Sequence, residues 1–422
     1  MRKLARDLSL RRRYDRLTVH DLVKVEKLKK LLLVLALKLG QCVNDEDEWN
    51  RLHQLFTIAC ARYFHYSYCE QLPLEPPIRL DRSIDTFCDS DCYIFFRFNK
   101  EHLKDLRVLL NFTAIAIFDN GERMEEEEVF LRGLYELASG ESKHKIARTV
   151  FGRDMSSQSR AFSLFIRKMY HFHSHLVLDN IQWWYENGFF ERSARAIGEK
   201  MCCEIDNGGM NLVSHFIDCN CLETERVGGG PLDAGANAAR WDPNIQRAFY
   251  NGWKSMNGLK HQTVDDAYGF TMDCYGPTSL RRNDLVLLRN SDINFKFARL
   301  QLGSGVDYVM FGDSAYKRQS HIRSYFTVRE NIEGIGRWNR HMKRLRVSIE
   351  WNYGHQAALF KYLLVTYKLK VLKSELVTKI FVVTTILRNL HTGYYGSQTS
   401  KYFNLSIPKD FNLKYVKGLN LD

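Results

Sequence analysis

Asp218, Asp313 and Glu350 carry the strongest chemical signal in this 422-residue chain. Asp218 follows Ser-His-Phe-Ile, and Asp313 follows Tyr-Val-Met-Phe-Gly. Both apolar runs read as short buried strands. Glu350, in Arg-Val-Ser-Ile-Glu-Trp-Asn-Tyr-Gly, lies in a stretch with helical spacing. Two strand-end aspartates and a helical glutamate can converge on a pair of divalent metals. Such ions, roughly 3.5–4 Å apart, clamp the attacking and leaving oxygens of an in-line displacement at phosphorus. Hard oxygen donors suit Mg²⁺ or Mn²⁺. Glu350 and Asp313 are expected to hold one ion, with Asp218 bridging both. Three carboxylates held together also repel one another and resist ionisation unless a cation neutralises them. Each has a plainer reading too. An aspartate often caps a turn, and Glu350 can pair with Arg346 four positions earlier on a solvated helix face.

The elements that must position these residues follow from periodicity. Leu212–Asp218, Met256–Val264, Phe270–Tyr275 and Asp307–Gly312 read as strands, with a further one in Ser324–Val328. A hairpin-type turn at 265–269 joins the second to the third. Leu280–Ser291 reads as a helix, and 338–362 as a longer one with Met342, Leu345, Ile349 and Tyr353 on one side. This order predicts an RNase H-like core, a mixed five-stranded sheet flanked by helices, over about 179–400. Lys343 and Arg346 share Glu350's helix face and could hold phosphates. Asp284 is a fourth carboxylate that could replace Asp313. Asp313 is preferred because it ends the fourth strand, which leaves Asp284 an accessory role. The segment 223–252, rich in Gly and Ala, reads as an inserted loop.

Ahead of this core lies a helical region, about 91–178. Within it, residues 125–172 spell three short helices. Leu131, Leu134 and Leu137 give one apolar face, stopped by Ser139-Gly140. Ile146, Ala147 and Val150 give a second. Ser156 is the expected N-cap of a third, whose buried face is Phe162, Phe165, Ile166 and Met169. This spacing predicts a helix-turn-helix. Ser157, Gln158 and Arg160 would reach base edges, with Arg167 and Lys168 on phosphates. A plain structural bundle is the competing reading.

Several blocks appear together and in order. They are Leu131–Gly140, Ile146–Gly152 and Ser156–Ser159; Phe216–Asp218; Gly258–Val264; Gly276 through Asn283-Asp284-Leu285 to Ser291; Gly312-Asp313-Ser314-Ala315-Tyr316; and Ile349-Glu350-Trp351. Over about 90–400 the chain resembles DDE transposases of the PIF/Harbinger superfamily, which includes domesticated Harbinger-derived nucleases. Two positions depart from that pattern. Cys219-Asn220-Cys221 stands where the family has Gly-Thr-His, and Asn283 where it has His. The resemblance implies metal-dependent DNA cutting that leaves a 3′-hydroxyl, with onward strand transfer. It also implies a homo-oligomer on DNA, a Myb-like DNA-binding partner and a nuclear location. The rival expectation is a domesticated, catalytically silent DNA-binding or scaffold protein.

Composition sets bounds on all of this. A net charge of +12 suits a polyanionic partner. Residues 1–90 read as basic and mostly helical, with Arg11-Arg12-Arg13 and Lys27, Lys29 and Lys30 near the start. These clusters read either as an import signal or DNA arm, or as a solvated amphipathic helix. Pro73–Pro77 reads as a linker, and 401–422 as a C-terminal tail. Leu31–Leu37 is too short to span a bilayer, and no secretory leader is read, so the expected chain is soluble and intracellular. The ten cysteines form no CxxC, so free thiols are expected. His171, His173 and His175 could be read as a metal site, but on a helix end only His171 and His175 would share a face, which argues against it. No P-loop or dinucleotide fingerprint is present.

Overall fold

The computed structural model describes residues 19–41, 46–67, 83–201, 211–225, 247–302, 305–327, 335–370 and 373–421. The arginine cluster at 11–13, the prolines at 73–77, Cys202-Cys203 and most of the inserted loop lie outside them. The chain divides into two compact units, Met1–Ile78 and Arg79–Asp422.

The first unit is a hairpin of α1 (Val19–Gln41) and α2 (Glu46–Ser67). Glu46, Asp47 and Glu48 open α2, where negative charge complements the helix dipole.

The second unit is mixed α/β, with a mixed sheet and many helices. It starts with helices and a small hairpin of β1 (Ile115–Ile117) and β2 (Arg123–Glu125). Three helices follow: α3 (Glu126–Ser139), α4 (Lys143–Thr149) and α5 (Met155–His173). Gly140 ends α3 at φ +64°, in the left-handed region that glycine adopts at no steric cost. A side chain there would also meet Val365 Cγ2 at 2.9 Å. The N-cap of α5 is Asp154, not the expected Ser156. Asp154 accepts from the Ser157 backbone N–H at 2.6 Å. Either residue type can cap, and the chain turns into the helix one residue before Met155.

After α6 (Phe189–Met201) the chain enters the sheet. Its strands are β3 (Asn211–Glu223), β4 (Tyr250–Asn251), β5 (Met256–Asp266), β6 (Thr271–Ser279), β7 (Asp307–Phe311) and β8 (Ile322–Arg323). β5 pairs antiparallel with β3, β4 and β6, whereas β3–β7 and β7–β8 are parallel. The pattern β6-β5-β3-β7-β8 is consistent with the RNase H-like core expected from sequence. Strand five falls at 322–323 rather than 324–328, because Ile322 and Arg323 are the residues that pair with Met310 and Phe311. The predicted helix at 280–291 is α7, Asp284–Asn290, with Asn283 capping it through Leu285 N–H at 2.9 Å.

A long helix, α8 (Ile335–Leu359), lies on the sheet. Its Trp338, Met342, Leu345 and Ile349 close over Phe216 and Phe311 in one buried cluster. Each of those phenylalanines contributes on the order of 2–3 kcal/mol by leaving water. A larger core runs from Phe112, Phe130 and Phe165 through Trp184 and Phe270 to Phe381, on α9 (Ser374–Tyr395), and Phe411. The helical region and the sheet therefore share one interior. Among the described residues no helix is long and apolar enough to cross a membrane.

Candidate active site

β3 and β7 run side by side, with Phe216 opposite Phe311 as their last parallel pair. Asp218 and Asp313 each lie two residues further on. They are thus level, on neighbouring chains about 4.8 Å apart at the paired section. A strand alternates its faces, so Asp218 shares the face of Phe216, the one that α8 covers. Asp218 does not end its strand, as the sequence predicted. Cys219 through Glu223 go on pairing with β5, and only the parallel pairing stops.

Beyond β7 the chain folds tightly. Asp313 Oδ1 accepts from Ala315 N–H at 2.8 Å, a turn that fixes the carboxylate. The Tyr316 ring then tucks under Gly312. Any Cβ at Gly312 would sit 2.7 Å from that ring, which accounts for glycine in Gly-Asp-Ser-Ala-Tyr. The Tyr316 hydroxyl reaches Cys219 Sγ at 3.3 Å, tying the Asp313 turn to β3.

Glu350 lies on α8 with 53% of its side chain exposed. Arg346, one turn earlier, connects it to the first aspartate. Its Nη1 donates to Asp218 Oδ2 at 2.7 Å and its Nη2 to Glu350 Oε1 at 3.1 Å. The i,i+4 pairing of Arg346 with Glu350 was legible in sequence, but the bond to Asp218 spans 128 positions and was not. Lys343 is exposed on the same helix. Thr263, the β5 partner of Asp218, bonds the Tyr353 hydroxyl at 2.8 Å and pins the helix to the sheet.

Burial pushes the Asp218 carboxyl up to about 6. Arg346 and the Cys219 N–H pull it down, while Asp313 and Asp284 push it further up. Such a group is poised to exchange a proton for a cation near neutral pH.

Asp284 is held differently. It opens α7, and Lys260 Nζ reaches it at 2.6 Å and the Arg282 carbonyl at 2.9 Å. Lys260 pairs with Cys221 across the strands, so it stands on the face opposite Asp218. Asp284 is thus an ion-paired neighbour of the pair formed by Asp218 and Asp313.

Asp218, Asp313 and Glu350 are the hard oxygen donors that a Mg²⁺ or Mn²⁺ centre uses. Among the described residues, however, no three His, Cys, Asp or Glu side chains are gathered as a metal site. Arg346 fills the space between Asp218 and Glu350 with its own positive charge. The donor types fit a metal, while Glu350 is turned to the arginine. His171, His173 and His175 are not gathered either. His173 is buried near the Leu110 carbonyl, and His175 begins a separate short helix.

The residues expected to read DNA are split by the fold. Ser157 and Gln158 are buried, not exposed as the helical wheel suggested. Ser157 Oγ donates to Glu122 at 2.6 Å, and Gln158 lies between Arg132 at 3.1 Å and Glu136 at 3.0 Å. Arg160 pairs with Glu122, and Lys168 with Glu126 at 2.6 Å. The β1–β2 hairpin and α3 supply these acidic partners, and nothing local to α5 announced them. Arg167 is exposed and lines a cavity of about 540 Å³ with Tyr170, His171, Ser174 and Lys379.

Residues 237–389 match the model of a family described as DDE superfamily endonuclease. The match takes in Asp284, Asp313 and Glu350 and begins after Asp218. Comparison with curated proteins and with solved structures gave no match. The family match supports a nuclease of the DDE transposase type, the activity to which level aspartates on parallel strands and a helical glutamate are suited.

Proposed function

We propose that this chain is a metal-dependent DNA endonuclease and transposase of the PIF/Harbinger type. The observation that carries the reading is the level placement of Asp218 and Asp313 on β3 and β7, with Glu350 reached through Arg346. Asp218, Asp313 and Glu350 would hold Mg²⁺ or Mn²⁺. When bound, such ions supply Lewis-acid activation of water and neutralise charge building at phosphorus.

The remaining work falls to the chain. Asp218 is half-buried and holds its proton more tightly than an ordinary aspartate. Arg346 and Lys343 offer positive charge to a scissile phosphate beside Glu350. Water adds to phosphorus, the bond to the 3′ oxygen breaks, and the products are a 3′-hydroxyl and a 5′-phosphate. That hydroxyl can in turn attack a target strand in the same site. Arg167, Arg160 and Lys168 lie on the helix proposed to approach DNA, with Arg160 and Lys168 held by acidic neighbours. In this reading the protein works in the nucleus, as a homo-oligomer on DNA with a Myb-like DNA-binding partner.

The test is a nicking assay on duplex DNA carrying terminal inverted repeats, with Mg²⁺ or Mn²⁺ and with EDTA. Metal-dependent nicks with 3′-hydroxyl ends are expected. DNA that stays intact under every metal condition, with protein demonstrably bound, would remove the enzymatic reading and leave the silent DNA-binding one.

A further inference from the structure

Trp253 is 96% exposed. It stands at the tip of the hairpin that joins β4 to β5. A fully solvated indole forgoes the burial that normally makes tryptophan stabilising, and it offers a flat aromatic face to a partner. The backbone beneath it is nevertheless well fixed. Asn251 Oδ1 accepts from Trp253 N–H at 3.0 Å and from Lys254 N–H at 3.1 Å. The same side chain donates from Nδ2 to the Leu280 carbonyl at 3.0 Å. Asn251 therefore joins the hairpin tip to the turn that carries exposed Arg281 and Arg282. The Arg282 carbonyl is held in turn by Lys260. Lys254 Nζ rests on Cys221 Sγ at 3.0 Å, which adds a third cation to this end of the sheet. Glu223 is exposed at the same end of β3, opposite Gly258, so positive charge is in excess there.

We propose that this tip is a nucleobase-stacking contact. Trp253 takes the face of an unpaired base, and Arg281 and Arg282 take the flanking phosphates. An exposed aromatic face together with cations on the neighbouring turn is how proteins hold single-stranded nucleic acid without reading its sequence. The position suits DNA that also reaches the carboxylates. The tip extends past the carboxyl end of β3, the end toward which Asp218 and Asp313 lie. From Thr263, beside Asp218, to Met256, at the foot of the hairpin, β5 covers seven residue steps. At ~3.3 Å each this is ~23 Å, about seven base steps of a strand. The proposal rests on the reading that DNA is the substrate.

The experiment uses the full chain in EDTA, so that cutting plays no part, with fluorescence anisotropy on two labelled DNAs. One is a blunt duplex, and the other the same duplex with a short single-stranded overhang. The wild type should prefer the overhang. Trp253→Ala should lose roughly ten-fold affinity for the overhang and little for the blunt duplex, and Trp253→Phe should keep most of the preference. Arg281→Ala with Arg282→Ala should weaken the overhang DNA more than the blunt duplex and lower the salt dependence of overhang binding. An exposed side chain leaves the melting temperature unchanged, so misfolding cannot mimic the result. Equal binding of both DNAs by wild type and Trp253→Ala overturns the proposal. A wild type that binds neither DNA overturns it together with the DNA reading. Trp253-dependent binding in a protein that never cuts supports it while removing the nuclease reading.

Discussion

Arg346 lies between Asp218 and Glu350, 2.7 Å from one carboxylate and 3.1 Å from the other. The two acids therefore share a cation that belongs to the protein. That cation offsets part of the cost of holding Asp218 half-buried beside Asp313 and Asp284.

The first prediction concerns cutting. Asp218→Ala, Asp313→Ala and Glu350→Ala should each lower metal-dependent nicking by at least a hundred-fold, with DNA affinity nearly unchanged. Asp284→Ala should lower it less, because that carboxylate is spent on Lys260. A dead Asp284→Ala beside an active Asp313→Ala would reverse the assignment of the second aspartate. Single-turnover nicking of labelled DNA measures all four.

The second concerns Asp218 and pH. Its folded carboxyl titrates at about 6, above the ~3.9 of an unfolded aspartate. The folded state thus binds the proton more tightly, so this contribution is full below pH ~4 and is lost as pH rises through about 6. Asp218→Asn should remove that slope and, at pH 7.5, change metal-free stability favourably by on the order of 1–2 kcal/mol. It should also abolish stabilisation by Mn²⁺. Urea titrations at pH 4.5 and 7.5, with and without Mn²⁺, test this. Equal Mn²⁺ shifts in both proteins would falsify the ligand role of Asp218.

The third concerns His391. It is buried, neither ring nitrogen has a hydrogen-bond partner among the described residues, and its ring is 5.2 Å from that of His355. Burial, with the neighbouring His355, His102 and Arg97, pushes it down to about 3, and burial pushes His355 to about 4. Unfolded histidine takes its proton near 6.5, so the stability these rings confer is full above that pH and is lost as pH falls toward 3–4. His391→Phe should flatten the acid limb of the stability curve. An unaltered difference in denaturation midpoint between pH 7 and pH 5 would show that His391 does not set it.

The fourth separates reading from packing on α5. Gln158→Ala should destabilise the fold by about 1–3 kcal/mol, because it removes the buried hydrogen bond to Glu136 and leaves Arg132 only its pairing with Glu128. Arg167→Ala should leave stability alone and weaken DNA binding. A Gln158→Ala protein with wild-type stability and altered sequence preference would restore the base-reading role expected from the helical wheel.

Much of this arrangement was legible in sequence. Apolar runs ahead of Asp218 and Asp313 announced the two central strands, and the spacing of Met342, Leu345 and Ile349 announced the helix above them. What stayed hidden was set by distant partners. Nothing near Asp218 shows that Arg346 will bond it. A helical wheel likewise places Ser157 and Gln158 outside α5 because it cannot know that β1–β2 and α3 cover that side. Trp253 drew no notice, because exposure is a property of the fold and not of the residue type.

The bulge at Ser214 has a consequence for how this chain tolerates changes in length. Val213 is opposite Val309, but His215 is opposite Met310, so Ser214 is an extra residue in β3 relative to β7. It shifts the strand's phase by one. Without that shift Ile217, not Asp218, would stand level with Asp313. Removing Ser214 itself would preserve the pairing of everything after it. Removing one residue between His215 and Asp218 would turn Asp218 to the far side of the sheet. Length variation should therefore be tolerated in the stretch between β3 and β4 and in the link from β8 to α8, which lie outside the paired strands and the Asp313 turn. The few residues from His215 to Asp218 form a ruler whose length natural variants and designers alike must keep.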